Sequence, residues 1–205
     1  MPKEVNAQER REHIADGVFS LLEKGGIEVV SFRNIAKETG LNVGSVRHFV
    51  GDASDMLILA AEIMAERVER RIWGAIARYA GEGSGPQEFG VDACVEILEQ
   101  LLPLDAARRR EVIVWQVLTE RARTDAELRK RATGLIDGAF RVTQLMLDRL
   151  AGIDSVLAAR TLAATVDGLS VALLDDPETL TVDEVSTIVS AQIRWIVETR
   201  ESWTS

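Results

Sequence analysis

Apolar residues recur along this chain at helical spacing. Within residues 7–24, Ile14, Val18, Leu21 and Leu22 fall at i, i+4, i+7 and i+8, one face of a helix that Gly25 and Gly26 stop. Ser31 can cap a short helix over residues 32–39 that turns Ile35 and Ala36 inward and Arg33 and Lys37 outward, and Gly40 ends it. Leu41 reads as a buried turn residue and Asn42 as the cap of the next helix, residues 43–50, with Val46 and either Phe49 or Val50 inward. Asp52 or Ser54 can cap a long fourth helix over residues 53–80, and the GEGSGP stretch at 81–86 is the clearest break in the chain. Further on, the pattern predicts helices over residues 87–102, 105–123, 125–151, 154–175 and 182–201. Pro103, Thr124-Asp125, Gly152 and Asp175-Asp176-Pro177 divide them. No stretch longer than about six residues alternates in the manner of a strand, and no internal repeat is present. The fold class is all-α: an N-terminal three-helix unit, joined by a long helix to a helical remainder.

Composition removes several function classes. The chain has 205 residues with 24 Lys and Arg against 33 Asp and Glu, a net charge of −9, which argues against coating a polyanion by bulk charge. The single cysteine, Cys94, excludes an intrachain disulfide, and His13 and His48 cannot build a His-rich metal site. A di-iron bundle would need Glu three residues before each histidine, but Arg10 and Ser45 stand there. There is no nucleophile elbow and no phosphate loop, so a helical-bundle enzyme is a weak reading, and no catalytic residue, metal or cofactor is expected. Residues 1–11 lack the apolar core of a signal peptide, and the apolar runs at 112–117 and 169–174 are broken by charge before a bilayer span is reached. The expected location is the cytoplasm, with no membrane partner.

The informative segment is Ser31 to Leu57, SFRNIAKETGLNVGSVRHFVGDASDML. A helix-turn-helix that lays its second helix in the major groove of DNA needs a short helix, a glycine-bearing turn, and small or polar outward residues on the second helix. Gly44 and Ser45 are small, Arg47 and His48 can reach phosphates or base edges, and Asn42 caps the helix end that would point at a phosphate. Charge supports this placement. From Val29 to Val50, Arg33, Lys37 and Arg47 face only Glu38, and the acidic excess sits almost entirely in residues 53–205.

These residues resemble the TetR family of bacterial repressors. Ser31, Ile35, Ala36, Thr39, Gly40, Leu41, Asn42, Gly44, Ser45, Val46 and His48 match its N-terminal pattern, and the likeness extends through the chain. GSVRHF followed by DMLILAAEIMAERVERRI, and the run from Asp167-Gly168-Leu169 to Asp176-Pro177, look like a subgroup related to the choline-sensing betaine-pathway repressors. Two positions depart from the family pattern. Arg47 stands where a phosphate-contacting tyrosine is usual, and Ala53 replaces the usual lysine at the start of the fourth helix. The resemblance implies a DNA-binding domain over residues 1–52 and a ligand-binding and dimerisation domain over 53–205. His48 would act as a phosphate donor, Ser45 as a groove contact, Arg33 as a residue near the backbone, and Val43 as a contact to a thymine methyl.

Palindromic operators are read economically by two-fold dimers. Ala164, Gly168 and Ala172 form a small-residue stripe at i, i+4 and i+8, and Val185, Ile188, Val189, Ile193 and Ile196 form one face of the last helix. This pair resembles the family's dimer seam, while packing inside the subunit is the alternative. An effector pocket is expected among Trp73, Ile76, Cys94, Leu98, Trp115, Leu118, Thr119, Phe140, Thr143 and Leu147, with Gln116, Thr119, Thr143 and Gln144 supplying polar groups. Asp137 and Asp167 could attract a cationic effector. Aromatics at 5% leave few rings for a quaternary-ammonium cage, with Trp73, Phe89, Trp115 and Phe140 the only ones placed for it, so choline is not carried over and the effector is open. The expectation is thus a ligand-responsive repressor that binds a double-stranded DNA operator as a homodimer and is released by a small molecule. The main rival is a helical dimer that does not bind DNA.

Overall fold

The computed structural model describes residues 2–79 and 90–203. Among them ten α-helices follow one another without a strand. They are α1 (Pro2–Gly25), α2 (Phe32–Thr39), α3 (Val43–Phe49), α4 (Ala53–Tyr79), α5 (Val91–Glu99), α6 (Ala106–Thr124), α7 (Ala126–Ile136), α8 (Gly138–Ala151), α9 (Val156–Asp175) and α10 (Val182–Glu198). Short 3-10 turns at Ile27–Val29 and Arg200–Ser202 complete the list. The GEGSGP break and the expected start of the fifth helix at Gln87 lie outside the described residues.

Two of the expected helices are corrected. The fifth ends at Glu99 rather than at Leu102, because the amides of Gln100, Leu101 and Leu102 turn back to carbonyls three residues earlier as the chain nears Pro103. The single helix expected over residues 125–151 is two, α7 and α8. They part at Asp137, between Gly134 and Gly138, two residues of low helix propensity.

The chain packs as two units. One comprises residues up to Arg67 together with Arg109–Ile136, the other Val68–Arg108 and Asp137–Ser205, so the division falls inside α4 and inside α6. In the first unit Ile14, Ala15, Val18 and Phe19 of α1 are buried with Ile35 and Ala36 of α2 and Val46 of α3. Fully burying an aliphatic side chain of this size contributes about 1.5–3 kcal/mol. Gly17 lets α1 and α2 close up: a Cβ there would lie 2.5 Å from Thr39 Cγ2. Ion pairs tie α4 to α1, Arg11 to Glu62 at 2.9 Å and Arg67 to Asp16 at 2.8 Å. Two further pairs bring in the later segment, Arg110 to Glu23 at 2.7 Å and Arg131 to Asp55 at 2.5 Å.

The second unit has its own core, in which Ile97, Leu98, Leu102, Leu147, Leu162, Val189 and Ile193 are buried. Gly152, at φ 61°, ends α8 with Ile153 N–H turned back to Leu147 O, a left-handed closure that glycine makes without steric cost. Ser155 caps α9, and Thr181 and Glu184 form a reciprocal capping box at the start of α10. By length and composition α9 is apolar enough to cross a membrane, contrary to the expectation from its charges, yet Ala158, Leu162, Val166, Leu169 and Leu173 on one side of it belong to this core.

Candidate nucleic-acid interface

The helix-turn-helix is built by its caps. Ser31 Oγ accepts from Asn34 N at 3.2 Å to start α2, Gly40 takes φ 69° at its end, and Asn42 Oδ1 accepts from Ser45 N at 2.7 Å to start α3. His13 Nε2 donates to Thr39 O at 2.8 Å, so this histidine fastens α1 to the end of α2. With Val46 and Val50 buried, the opposite face of α3 has one orientation: Val43, Gly44, Arg47 and His48 are exposed, and Ser45 is half-buried. Arg33 and Lys37 lie exposed on α2.

Charge on this face is more positive than the sequence count suggested. The one carboxylate of the segment, Glu38, takes a bond from Lys24 Nζ at 2.5 Å and from Ser20 Oγ at 2.7 Å, and these bonds, Lys24 first, hold it below the usual carboxylate range. Among the described residues Arg33, Lys37 and Arg47 have no carboxylate within ion-pair distance, which leaves their donors for an anion. Arg47 instead lies over the Phe32 ring, 4.8 Å from its centroid, while His48 meets Phe49 edge-on at 5.2 Å. The Phe32 contact escaped the sequence reading because fifteen positions separate the partners.

The loop behind α3 is fixed as well. Asp52 Oδ1 accepts from Asp55 N at 2.8 Å, and Asp55 Oδ2 accepts from Gly51 N at 2.8 Å and Asp52 N at 3.0 Å. Asp52 rather than Ser54 is therefore the cap of α4. Ala53 is exposed and offers no side-chain donor.

The expected regulatory residues fare unevenly. Trp73 is 56% exposed and bonds Glu69 through Nε1 at 3.3 Å, so it points outward and away from any interior pocket, because Ile72 and Ala75 take the inward side of α4. Cys94, Leu98, Thr143 and Leu147 are fully packed in the core of the second unit, where Ile76 and Phe140 are half-buried. Trp115, Leu118 and Thr119 belong to the first unit, with Leu118 buried. Three of the expected polar groups are engaged: Thr143 Oγ1 shares its proton between Phe140 O at 2.8 Å and Ala159 O at 3.0 Å, Thr119 bonds Trp115 O and the backbone Gln116 O, and Gln144 reaches Asp154 at 3.5 Å. Phe89 lies outside the described residues. Asp137 is exposed, and Asp167 keeps contact with solvent while desolvation raises its carboxyl above the ordinary value. Burial also pushes the Cys94 thiol up to about 12. An open groove of about 550 Å³, which the sequence reading did not anticipate, runs along α5 and α10 past Tyr79, Glu96, Glu99, Ser190 and Arg194.

The two expected seam stripes separate. Ala164 and Gly168 are exposed and Ala172 half-buried, and a Cβ added at Gly168 would meet nothing within 4 Å of this chain. Val185, Val189, Ile193 and Ile196 are all 0% exposed in the core of the second unit. Only Ile188 of that expected face is exposed, so the other four are corrected from seam to core. Trp195 of α10 and Val171 of α9, which were not anticipated, are exposed at 47% and 44%.

The chain is similar to known regulators along its length. Residues 91–198 match the C-terminal domain of BetI-type transcriptional repressors. The HTH-type transcriptional regulator PksA of Bacillus subtilis (strain 168) is 28% identical over 208 residues, covering 98% of each chain. Among solved structures, a transcriptional regulator from Rhodococcus sp. Rha1 superposes with a TM-score of 0.74 at 26% identity, covering 92% of this chain and 96% of that one. A regulator from Saccharomonospora viridis in complex with choline gives 0.70 at 18%, covering 94% and 97%. These relatives are regulators and not enzymes. With a helix-turn-helix at its N-terminus and a matched domain over more than half its length, the chain belongs to the TetR family of transcriptional regulators and carries a BetI-type C-terminal domain.

Proposed function

We propose that this regulator is a repressor, acting in the cytoplasm as a homodimer that binds a palindromic double-stranded DNA operator and is released by a small-molecule effector. The observation that carries the reading is the exposed face of α3, on which Val43, Ser45, Arg47 and His48 stand, with Arg33 alongside on α2 and Asn42 holding the helix start. Val43 and Ser45, near the N-terminal end of α3, are assigned to base edges, where the recognition helix of such a motif reads sequence, and Arg47, His48 and Arg33 to phosphates. Residues 1–52 supply the DNA contacts and 53–205 the regulation.

For the dimer, the exposed stripe of α9 with Ala164, Gly168 and Val171 offers small residues for close helix approach, and Ile188 and Trp195 add exposed apolar side chains on α10. The effector is assigned to the BetI-type domain and its identity is open. Choline, present in the Saccharomonospora viridis structure, is not extended to this chain: the Phe140 ring already carries the Arg160 guanidinium at 4.7 Å, and Trp73 is turned outward.

An anisotropy titration against duplexes selected from a random library tests the core of the reading. Binding that weakens steeply with salt and needs Arg47 and Ser45 supports it. Dimerisation without duplex affinity would leave the non-DNA interaction protein as the better description.

A further inference from the structure

Phe32 is the first residue of α2, immediately after its cap Ser31, and is half-buried. Arg47 stands in the last turn of α3, exposed, with its guanidinium carbon 4.8 Å from the centre of the Phe32 ring. We infer that Phe32 is a positioning residue for DNA binding, holding the Arg47 guanidinium ready for a backbone phosphate. The inference rests on the DNA-binding reading above.

Three observations carry it. First, an aromatic face engages the plane of a guanidinium and takes none of its N–H donors, so a stacked arginine keeps its fork for a bidentate anion contact. Second, the other stacked arginine among the described residues of this unit differs in that respect. Arg67 lies over Phe19 at 5.3 Å but also gives an N–H to Asp16 at 2.8 Å, so its donors serve the fold. Arg47 has no such partner among the described residues. Third, Arg47 lies near the C-terminal end of α3, beside the start of α2. The N-terminal residues of a recognition helix take the base edges, which leaves this end to the backbone. A free arginine would lose rotamer freedom on meeting the phosphate, and the ring has already restricted it.

The experiment compares the parent with Phe32→Leu, Phe32→Tyr, Arg47→Gln and the Phe32→Leu/Arg47→Gln double variant, by anisotropy against a duplex recovered by selection. Thermal melts serve as the folding control. Phe32→Leu is expected to weaken binding about two- to fivefold, the range of an exposed cation–π contact, and Phe32→Tyr to bind as the parent does. Arg47→Gln is expected to lower the slope of log K against log salt by about one phosphate, and Phe32→Leu to have no further effect in that background. The inference is overturned if Phe32→Leu binds as tightly as a parent that does bind, or if it causes the same loss in the Arg47→Gln background, since the ring would then act through packing of α2 alone. A parent with no salt-dependent duplex affinity overturns the DNA-binding reading, and this inference with it.

Discussion

Arg131 Nη2 of α7 lies 2.5 Å from Asp55 Oδ1 in the first turn of α4. The other oxygen of the same carboxylate accepts the amides of Gly51 and Asp52, the two residues that lead from the recognition helix into α4. One aspartate therefore joins the end of the helix-turn-helix, the start of the long helix and a segment 76 positions further along the chain. Residues 109–136 belong with the DNA-binding helices by packing, although they are remote from them in sequence.

Loss of this joint should be measurable as stability. The pair is partly exposed, so Arg131→Ala is expected to destabilise by about 0.5–1 kcal/mol. Asp55→Ala, which also removes the acceptor of the Gly51 and Asp52 amides, should cost about 1–2 kcal/mol. At about 2–4 °C per kcal/mol for a chain of this size, thermal melts resolve the two. The Arg131 hydrogen bond, together with the backbone amides, holds the Asp55 carboxyl below its ordinary value of 3.8. Its contribution is therefore fully present above pH 3.8 and lost as pH falls through the lowered folded value. Melts at acid pH should show the difference between parent and Asp55→Ala shrinking, with no change near neutrality.

Asn42 and Arg47 should separate helix formation from DNA contact. Asn42→Ala removes the acceptor of the Ser45 amide and is expected to destabilise by about 1 kcal/mol while weakening binding, because α3 frays. Arg47→Ala, which loses only the exposed stacking contact with Phe32, should lower the melting temperature by about 1–2 °C, less than Asn42→Ala does, and reduce the salt slope of binding by about one unit. Equal melting losses for both variants would contradict this division.

The proposed seam and the core make opposite predictions for the same kind of substitution. Gly168→Arg places a charged side chain on an exposed stripe and is expected to yield a folded monomer in sedimentation velocity. Val189→Arg buries an unpaired charge at a position with 0% exposure and should unfold the chain outright. A Gly168→Arg chain that remains dimeric would remove α9 from the seam.

Cys94 is expected to be inert. Its thiol is buried and pushed up to about 12, so almost none is thiolate at neutral pH. A disulfide reagent should leave the native chain unlabelled and label it stoichiometrically in denaturant. Rapid labelling of the folded protein would place Cys94 in an accessible cavity instead.

The sequence by itself determined the all-α class, both helix-turn-helix caps and the outward residues of α3. It could do so because these features depend on neighbours within four positions: Ser31 on Asn34, Asn42 on Ser45, Gly40 on its own dihedrals. The split of α7 from α8 was within reach of the same reasoning, since Gly134 and Gly138 bracket it. Tertiary structure alone decided which of two plausible faces each regulatory helix buries. On α10 both sides carry apolar residues, and only packing against the rest of the second unit sends Val189 and Ile193 inward and leaves Ile188 and Trp195 outside. It likewise decided that Phe32 lies under Arg47, that Lys24 neutralises Glu38, and that Arg131 meets Asp55. Each of these pairs joins residues on different helices, and hydrophobic periodicity within a helix carries no record of which neighbour its polar side will meet.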